Sequence, residues 1–162
     1  MFKSLFKKKL DIISSPVDGQ IVPLADVPDP VFSQKMMGEG IAVKPKSGIV
    51  AAPVAGEIVQ LSDTKHAFGI RTENGAEILV HVGLETVALN GEGFELCADQ
   101  GDHVQKGQPI LKVDLGFIRE QAASDLVILV VTNSSNGDFH LQLQEASEAA
   151  MGETELIRIS RK

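Results

Sequence analysis

The sequence predicts an all-β domain: an antiparallel β-sandwich or flattened barrel with at most short helical turns. Three observations carry that prediction. Fifteen glycines and seven prolines cut the chain into short apolar segments, the pattern of short strands joined by tight turns. Helical periodicity is scarce beyond residue 10. A ten-residue pattern also recurs 37 positions on, as Ser15-Pro-Val-Asp-Gly-Gln-Ile-Val-Pro-Leu24 and Ala52-Pro-Val-Ala-Gly-Glu-Ile-Val-Gln-Leu61. Two copies are too few for a solenoid and instead predict two similar hairpin-like units around one core.

Taken in order, residues 1–10 form a unit apart from the domain of residues 11–162. Phe2, Leu5, Phe6 and Leu10 fall at helical spacing among Lys3, Lys7, Lys8 and Lys9. Two readings fit: a solubilising terminus, or a short amphipathic anchor that contacts an anionic membrane surface weakly and reversibly. Further along, Gly101-Asp-His-Val-Gln-Lys-Gly-Gln108 reads as turn, strand, turn. The best helix runs from Gly116 to Ala123 behind Asp114 as cap. Leu126 to Val131 reads as a strand buried on both faces, and Asn133 to Gly137 as a turn.

Composition narrows the function. With 162 residues and 43% apolar content, the chain is one folded domain, not two, and not disordered. It lacks Trp and Tyr, so Val, Ile, Leu and Ala build the core. The net charge of -7 conceals an asymmetry: residues 1–10 hold four Lys and no acid, and the remainder has 11 basic and 22 acidic side chains. An acidic body argues against nucleic acid and for basic protein partners. The single cysteine, Cys97, excludes a disulfide framework and a Cys-rich metal site, and fits a reducing cytoplasm. Its apolar neighbours predict a buried thiol. The longest apolar run has six residues, too short to span a membrane. There is no Walker pattern, so ATP binding is not indicated.

Four histidines carry the remaining chemistry. His103 and His140 lie in polar settings and read as surface residues. His66 and His81 flank a predicted hairpin, with arms His66–Arg71 and Ala76–Val82 and turn formers Thr72-Glu-Asn-Gly75 between them. With a four-residue loop, His66 faces His81 and Phe68 faces Leu79. Directly opposed residues share a face with Cβ atoms about 4.5–5.5 Å apart; a loop of odd length would separate the two faces. Two imidazoles alone fit a half-built metal site, a nucleophile with a helper, or coincidence. Local detail favours the nucleophile. A neutral imidazole nitrogen can attack phosphorus when its other nitrogen donates to a fixed acceptor, and Gly83 brings backbone close to the ring. Thr64 is placed to orient His66.

The segment Gly75-Ala-Glu-Ile-Leu-Val-His81-Val-Gly-Leu-Glu-Thr86-Val87 resembles the phosphohistidine signature of the glucose-type IIA proteins of the bacterial sugar phosphotransferase system, and meets every fixed position of it. Asp26-Val-Pro-Asp-Pro-Val-Phe32, Gly38-Glu-Gly-Ile-Ala-Val-Lys-Pro45, Thr64-Lys-His-Ala-Phe68 and Gly91-Glu-Gly-Phe94 look like further landmarks of that family, over about residues 11–162. The resemblance implies an antiparallel β-sandwich. It implies that His81 accepts a phosphoryl group from the phosphocarrier HPr and passes it to a cysteine on the IIB domain of a sugar permease. It makes His66 the second active-site histidine and Thr64 its support. Val31, Phe32 and Leu79 become partner-docking apolar positions, and Asp29 and Glu85 acidic rim positions that meet basic groups of HPr. Glu85 replaces an expected Asp, and Ser62 stands where enteric members carry an aromatic. The resemblance further implies that the phosphorylation state signals to other transporters or enzymes. No cofactor is required, although the His66/His81 pair can take a regulatory Zn²⁺ with a third ligand from a partner. A cytoplasmic protein, peripheral at the inner face of the cell membrane, is the expected setting.

Two rivals remain at this stage. A biotinyl- or lipoyl-type carrier module would explain the repeated Pro-Val-x-Gly segments and offer Lys65 for modification, but the chain is about twice the expected size and His81 would go unexplained. A β-sheet zinc peptidase needs a third protein ligand and a general base, and the chain has no His-x-His pair.

Overall fold

The computed structural model describes residues 10–162. The N-terminal segment, except for Leu10, lies outside them. Leu10, counted above with that segment, opens the first strand.

Among the described residues fourteen strands form three sheets. The largest has eight strands in the order β13 (Glu148–Ala149), β2 (Gly19–Pro23), β3 (Glu39–Pro45), β11 (Ser124–Val131), β7 (Glu77–Leu84), β6 (Ala67–Arg71), β5 (Gly56–Leu61), β9 (His103–Val104). Two three-stranded sheets complete the sandwich: β1 (Leu10–Ser14), β14 (Glu155–Arg161), β12 (Phe139–Leu143), and β4 (Ile49–Ala51), β10 (Pro109–Val113), β8 (Phe94–Leu96). All recorded pairings are antiparallel, which bears out the predicted fold class.

The sequence echo is a topological one. β2 and β5, the strands of the two copies, occupy equivalent places near opposite ends of the large sheet. The residue just before each copy bonds into the other copy: Ser14 N–H donates to the Pro53 carbonyl at 2.9 Å, and Ala51 N–H to the Pro16 carbonyl at 2.8 Å. The shared glycine has a steric cause. A Cβ on Gly19 would lie 2.0 Å from the Lys44 carbonyl oxygen, and one on Gly56 2.3 Å from that of Arg71.

The large sheet has two apolar faces. Phe68, Ile70, Ile78, Val80, Val82, Val127, Leu129 and Val131 face the inner core. Ala42, Ala67, Leu79, Leu126, Ile128 and Val130 form a second cluster, roofed by Leu24, Val27 and Phe32. A sheet covered on both sides needs a near-continuous apolar strand, and β11, buried from Asp125 to Val131, supplies it. Phe32 reaches this roof on α1 (Pro30–Ser33), a single turn whose cap is Asp29, with Oδ1 accepting the Val31 N–H at 3.0 Å. The predicted C-terminal helix is α2 (Leu115–Gln121), and the Asp114 carboxylate accepts the Phe117 N–H as its cap. Cys97 is exposed, contrary to expectation. Its apolar neighbours follow strand alternation, in which Phe94 and Ala98 point inward and Cys97 does not.

Candidate functional site

The site grows out of the face of β7 that turns away from the inner core. Leu79 and His81 share that face, and His81 stands opposite Ile128 on β11 and Ala67 on β6. The register differs from the one expected. The β6–β7 connection spans residues 72–76, so Phe68 faces Val80 and Gly69 faces Leu79. Phe68 therefore belongs to the inner core, and Phe32 supplies the ring on the histidine side.

A five-residue connection should place His66 and His81 on opposite faces. They meet nonetheless, because His66 precedes β6 and is not part of its pleat. Its carbonyl still accepts the Val82 N–H at 2.7 Å, as continued pairing requires. The chain has by then turned at Lys65, which adopts a left-handed φ of 62°. Ser62 closes the turn: its carbonyl accepts the Lys65 N–H at 2.9 Å, and its hydroxyl accepts the Ala67 N–H at 3.1 Å. The result is a nearly perpendicular ring pair, with centroids 4.8 Å apart. Phe32 packs on the other side of His81 at 5.2 Å.

Around the pair, Thr64 Oγ1 lies 2.7 Å from His66 Nδ1, which is the contact expected of Thr64. Ser62 Oγ lies 3.4 Å from the same nitrogen. His81 Nδ1 is buried and makes no regular hydrogen bond among the described residues, although the Gly83 backbone stands close enough to favour the protonated ring. Burial, reinforced by the neighbouring His66, pushes His81 down to about 4 against the pull of Gly83 and the Asp29 carboxylate. Burial likewise lowers the pKa of His66. Both rings are thus neutral near pH 7, with lone pairs available for nucleophilic attack or metal binding.

The signature around His81 has a mechanical basis. Gly83 takes φ 76° one residue before β7 ends, and Thr86 folds back to donate its hydroxyl to the Val82 carbonyl at 2.7 Å. Thr86 is the buried first residue of a 3₁₀ turn that Glu85, exposed and left-handed, introduces.

Of the positions expected to dock partners, Val31 projects at 39% exposure, whereas Phe32 and Leu79 form the buried floor. Met36, Met37 and Val87 are exposed apolar residues that sequence reasoning did not single out. The signal was present for Val87, the last position of the signature. Lys65 lays its aliphatic chain along Gly91 and Arg71 pairs with Glu77 at 3.1 Å. Two clefts, of about 490 and 580 Å³, are lined by residues other than the histidines. His66 is 8% exposed and His81 half-buried, beside the exposed Val31.

A family model described as phosphoenolpyruvate-dependent sugar phosphotransferase system, EIIA 1, matches residues 11–137. The chain belongs to this EIIA family. Full-length relatives agree. The chain is 39% identical to the PTS system glucose-specific EIIA component of Staphylococcus epidermidis, with 99% of each chain covered. It is 42% identical to the protein of the same name in Oceanobacillus iheyensis, over 98% of this chain and 99% of that one. A solved structure, the glucose permease IIA from Mycoplasma capricolum, superposes with a TM-score of 0.86 at 37% identity, over 93% of this chain and 96% of that one. This EIIA chain is accordingly a phosphotransferase component of a sugar-uptake system, and the carrier-module and peptidase alternatives fall. No helix of the described residues is long and apolar enough to cross a membrane.

Proposed function

We propose that His81 is the phosphoryl-accepting residue, that phospho-HPr is the donor, and that the acceptor is a cysteine on the IIB domain of a sugar permease. The observation that carries this reading is the pairing of two imidazoles of lowered basicity, with ring centroids 4.8 Å apart, beside an apolar side-chain cluster. A neutral nitrogen of His81 attacks phosphorus in line. The bond to the HPr histidine breaks, and that ring leaves with the electron pair. His66 donates a hydrogen bond to a phosphoryl oxygen, held by Thr64. With Arg71 paired to Glu77 and the Lys65 side chain running along Gly91, part of the transition-state charge falls to cations of the partner. Asp29 and Glu85 attract basic groups of HPr, and Val31 with the floor of Phe32 and Leu79 receives its apolar surface.

The names of the relatives make glucose the first sugar to test. The phosphorylated and free states differ by about two charges at this face, which supports a signalling role toward other transporters or enzymes. The two imidazoles offer two nitrogens to Zn²⁺, and no cluster of three ligating side chains exists among the described residues. A zinc ion here would complete its shell from a partner. The basic residues 1–10 supply a weak contact with an anionic membrane surface.

The test is a reconstituted relay with phosphoenolpyruvate, enzyme I, HPr and membranes bearing a glucose permease. The wild-type chain is expected to support sugar phosphorylation and His81→Ala to abolish it. Equal sugar phosphorylation with His81→Ala would remove the assignment.

A further inference from the structure

The chain holds four asparagines, and three of them precede glycine: Asn74-Gly75, Asn90-Gly91 and Asn136-Gly137. That dipeptide is chemically labile. The backbone nitrogen after the asparagine can attack the side-chain amide carbon, and glycine, with no Cβ, leaves the approach open. Ring closure needs an unbonded N–H and an untethered side chain. It also needs the following nitrogen turned to the same side of the Cα–C bond as Cβ. The fold grants these conditions unequally.

Asn74 is held: Gly75 N–H donates to the Thr72 carbonyl at 2.9 Å, and the Asn74 carbonyl accepts from Arg161 Nε at 2.8 Å. Asn90 is exposed, but its left-handed backbone, φ 54° and ψ 36°, sets the Gly91 nitrogen nearly anti to Cβ. Asn133 precedes serine, and its side-chain amide is engaged by the Gly75 carbonyl at 2.9 Å and the Glu77 N–H at 3.0 Å. Asn136 differs on every count. It is exposed, and neither its side chain nor the Gly137 N–H makes a hydrogen bond among the described residues. Asn136 ends a 3₁₀ turn, a conformation in which the next nitrogen has a smaller rotation to make toward Cβ than in the left-handed one. A Cβ at Gly137 would meet nothing within 4 Å, so the turn has room to make it.

We infer that Asn136 is a site of spontaneous deamidation, with water as co-reactant. The Gly137 nitrogen gives up its proton to solvent base and bonds to Asn136 Cγ. The Cγ–Nδ2 bond breaks, and Nδ2 leaves as ammonia with a proton from solvent. Water then opens the cyclic imide at either carbonyl. One opening gives aspartate, the other isoaspartate, and the glycine nitrogen regains its proton. Either product adds a negative charge to the connection between β11 and β12. Isoaspartate also lengthens the backbone beside Ser134, whose hydroxyl accepts the Glu39 N–H at 3.0 Å. The inference does not depend on the phosphoryl-carrier reading.

The test is timed incubation of the full chain in mildly alkaline buffer, followed by peptide mapping with mass spectrometry. Isoaspartate is read by methyl transfer from labelled S-adenosylmethionine with an isoaspartyl methyltransferase. In the folded protein Asn136 is expected to convert about tenfold faster than Asn74 or Asn90, the worth of one hydrogen bond or a comparable rotational cost. In concentrated urea the three Asn-Gly sites are expected to react at similar rates. Asn136→Gln is expected to keep the amide spectrum of the fold and to lose the methyl label. Conversion of Asn74 or Asn90 ahead of Asn136 in the folded chain overturns the inference. So does an Asn136 that stays intact when folded while the urea sample reacts, or a methyl label that persists in folded Asn136→Gln.

Discussion

Gly83 and Thr86 interlock so closely that a Cβ on Gly83 would lie 2.5 Å from Thr86 Cγ2. The Ser124 carbonyl oxygen stands on another side of that position at 2.8 Å, and the backbone is left-handed. Only glycine fits without displacing the turn that ends β7. Gly83→Ala should cost about 2–3 kcal/mol of stability, read as a lowered urea midpoint, and should also slow phosphorylation of His81. Thr86→Val, which loses the hydrogen bond to the Val82 carbonyl but keeps the shape, should cost only about 1 kcal/mol.

The buried imidazole makes stability depend on acidity in a defined window. His81 titrates near 4 when folded, against an ordinary 6.5 in the unfolded chain. As pH falls from 6.5 to 4, the unfolded state takes up the proton first, so stability declines with acidification and this contribution levels off below pH 4. The loss is on the order of 3 kcal/mol, and His66 acts in the same direction. His81→Gln should flatten the curve of unfolding free energy across that window. A His81 midpoint near 6.5 by NMR titration would contradict the burial argument.

Phe32 and Val31 separate packing from docking. Phe32 is 5% exposed and covers His81 from one side. Phe32→Ala should destabilise the domain by about 3 kcal/mol and move the His81 midpoint upward, as water reaches the ring. Val31 points outward. Val31→Asp should leave the thermal midpoint nearly unchanged and weaken binding of a partner across the apolar face about tenfold. Titration with HPr checks the second, and differential scanning calorimetry the first.

Asp125 is a buried carboxylate that accepts hydrogen bonds from Lys44 Nζ and, at 2.7 Å, from Arg119 Nε. Burial works to raise its pKa, and the hydrogen bonds and charges of Lys44 and Arg119 outweigh that and hold it below its ordinary value. Its stabilising contribution is present above pH 3.8 and is lost as pH falls through the lower folded value. Asp125→Ala should cost about 2 kcal/mol at pH 7, with the gap to wild type closing in strong acid. Denaturant melts at pH 7 and pH 2 decide it.

Much of this was legible in the sequence. Glycine and proline punctuation and the apolar run of β11 specify a sandwich, Asp114 marks the start of α2, and the recurring Pro-Val-x-Gly segment foretells the equivalently placed strands β2 and β5. The meeting of His66 and His81 was also foreseen, but by a different route from the one the chain takes. Counting the loop as four residues gave the right neighbours through the wrong register. What brings the rings together is the left-handed Lys65, and a lysine carries no sequence signal for that conformation. Asp125 was invisible for a related reason. Its partners Lys44 and Arg119 are 81 and 6 positions away and meet it only after β3, β11 and α2 have packed.

The most direct measurement is the site of the phosphoryl group itself. After incubation with phosphoenolpyruvate, enzyme I and HPr, phosphopeptide mapping at neutral pH should find one acid-labile phosphoryl group per chain, on His81, and none in His81→Ala. Label that persists in His81→Ala, or that maps to His66, His103 or His140 in the wild type, would contradict the account.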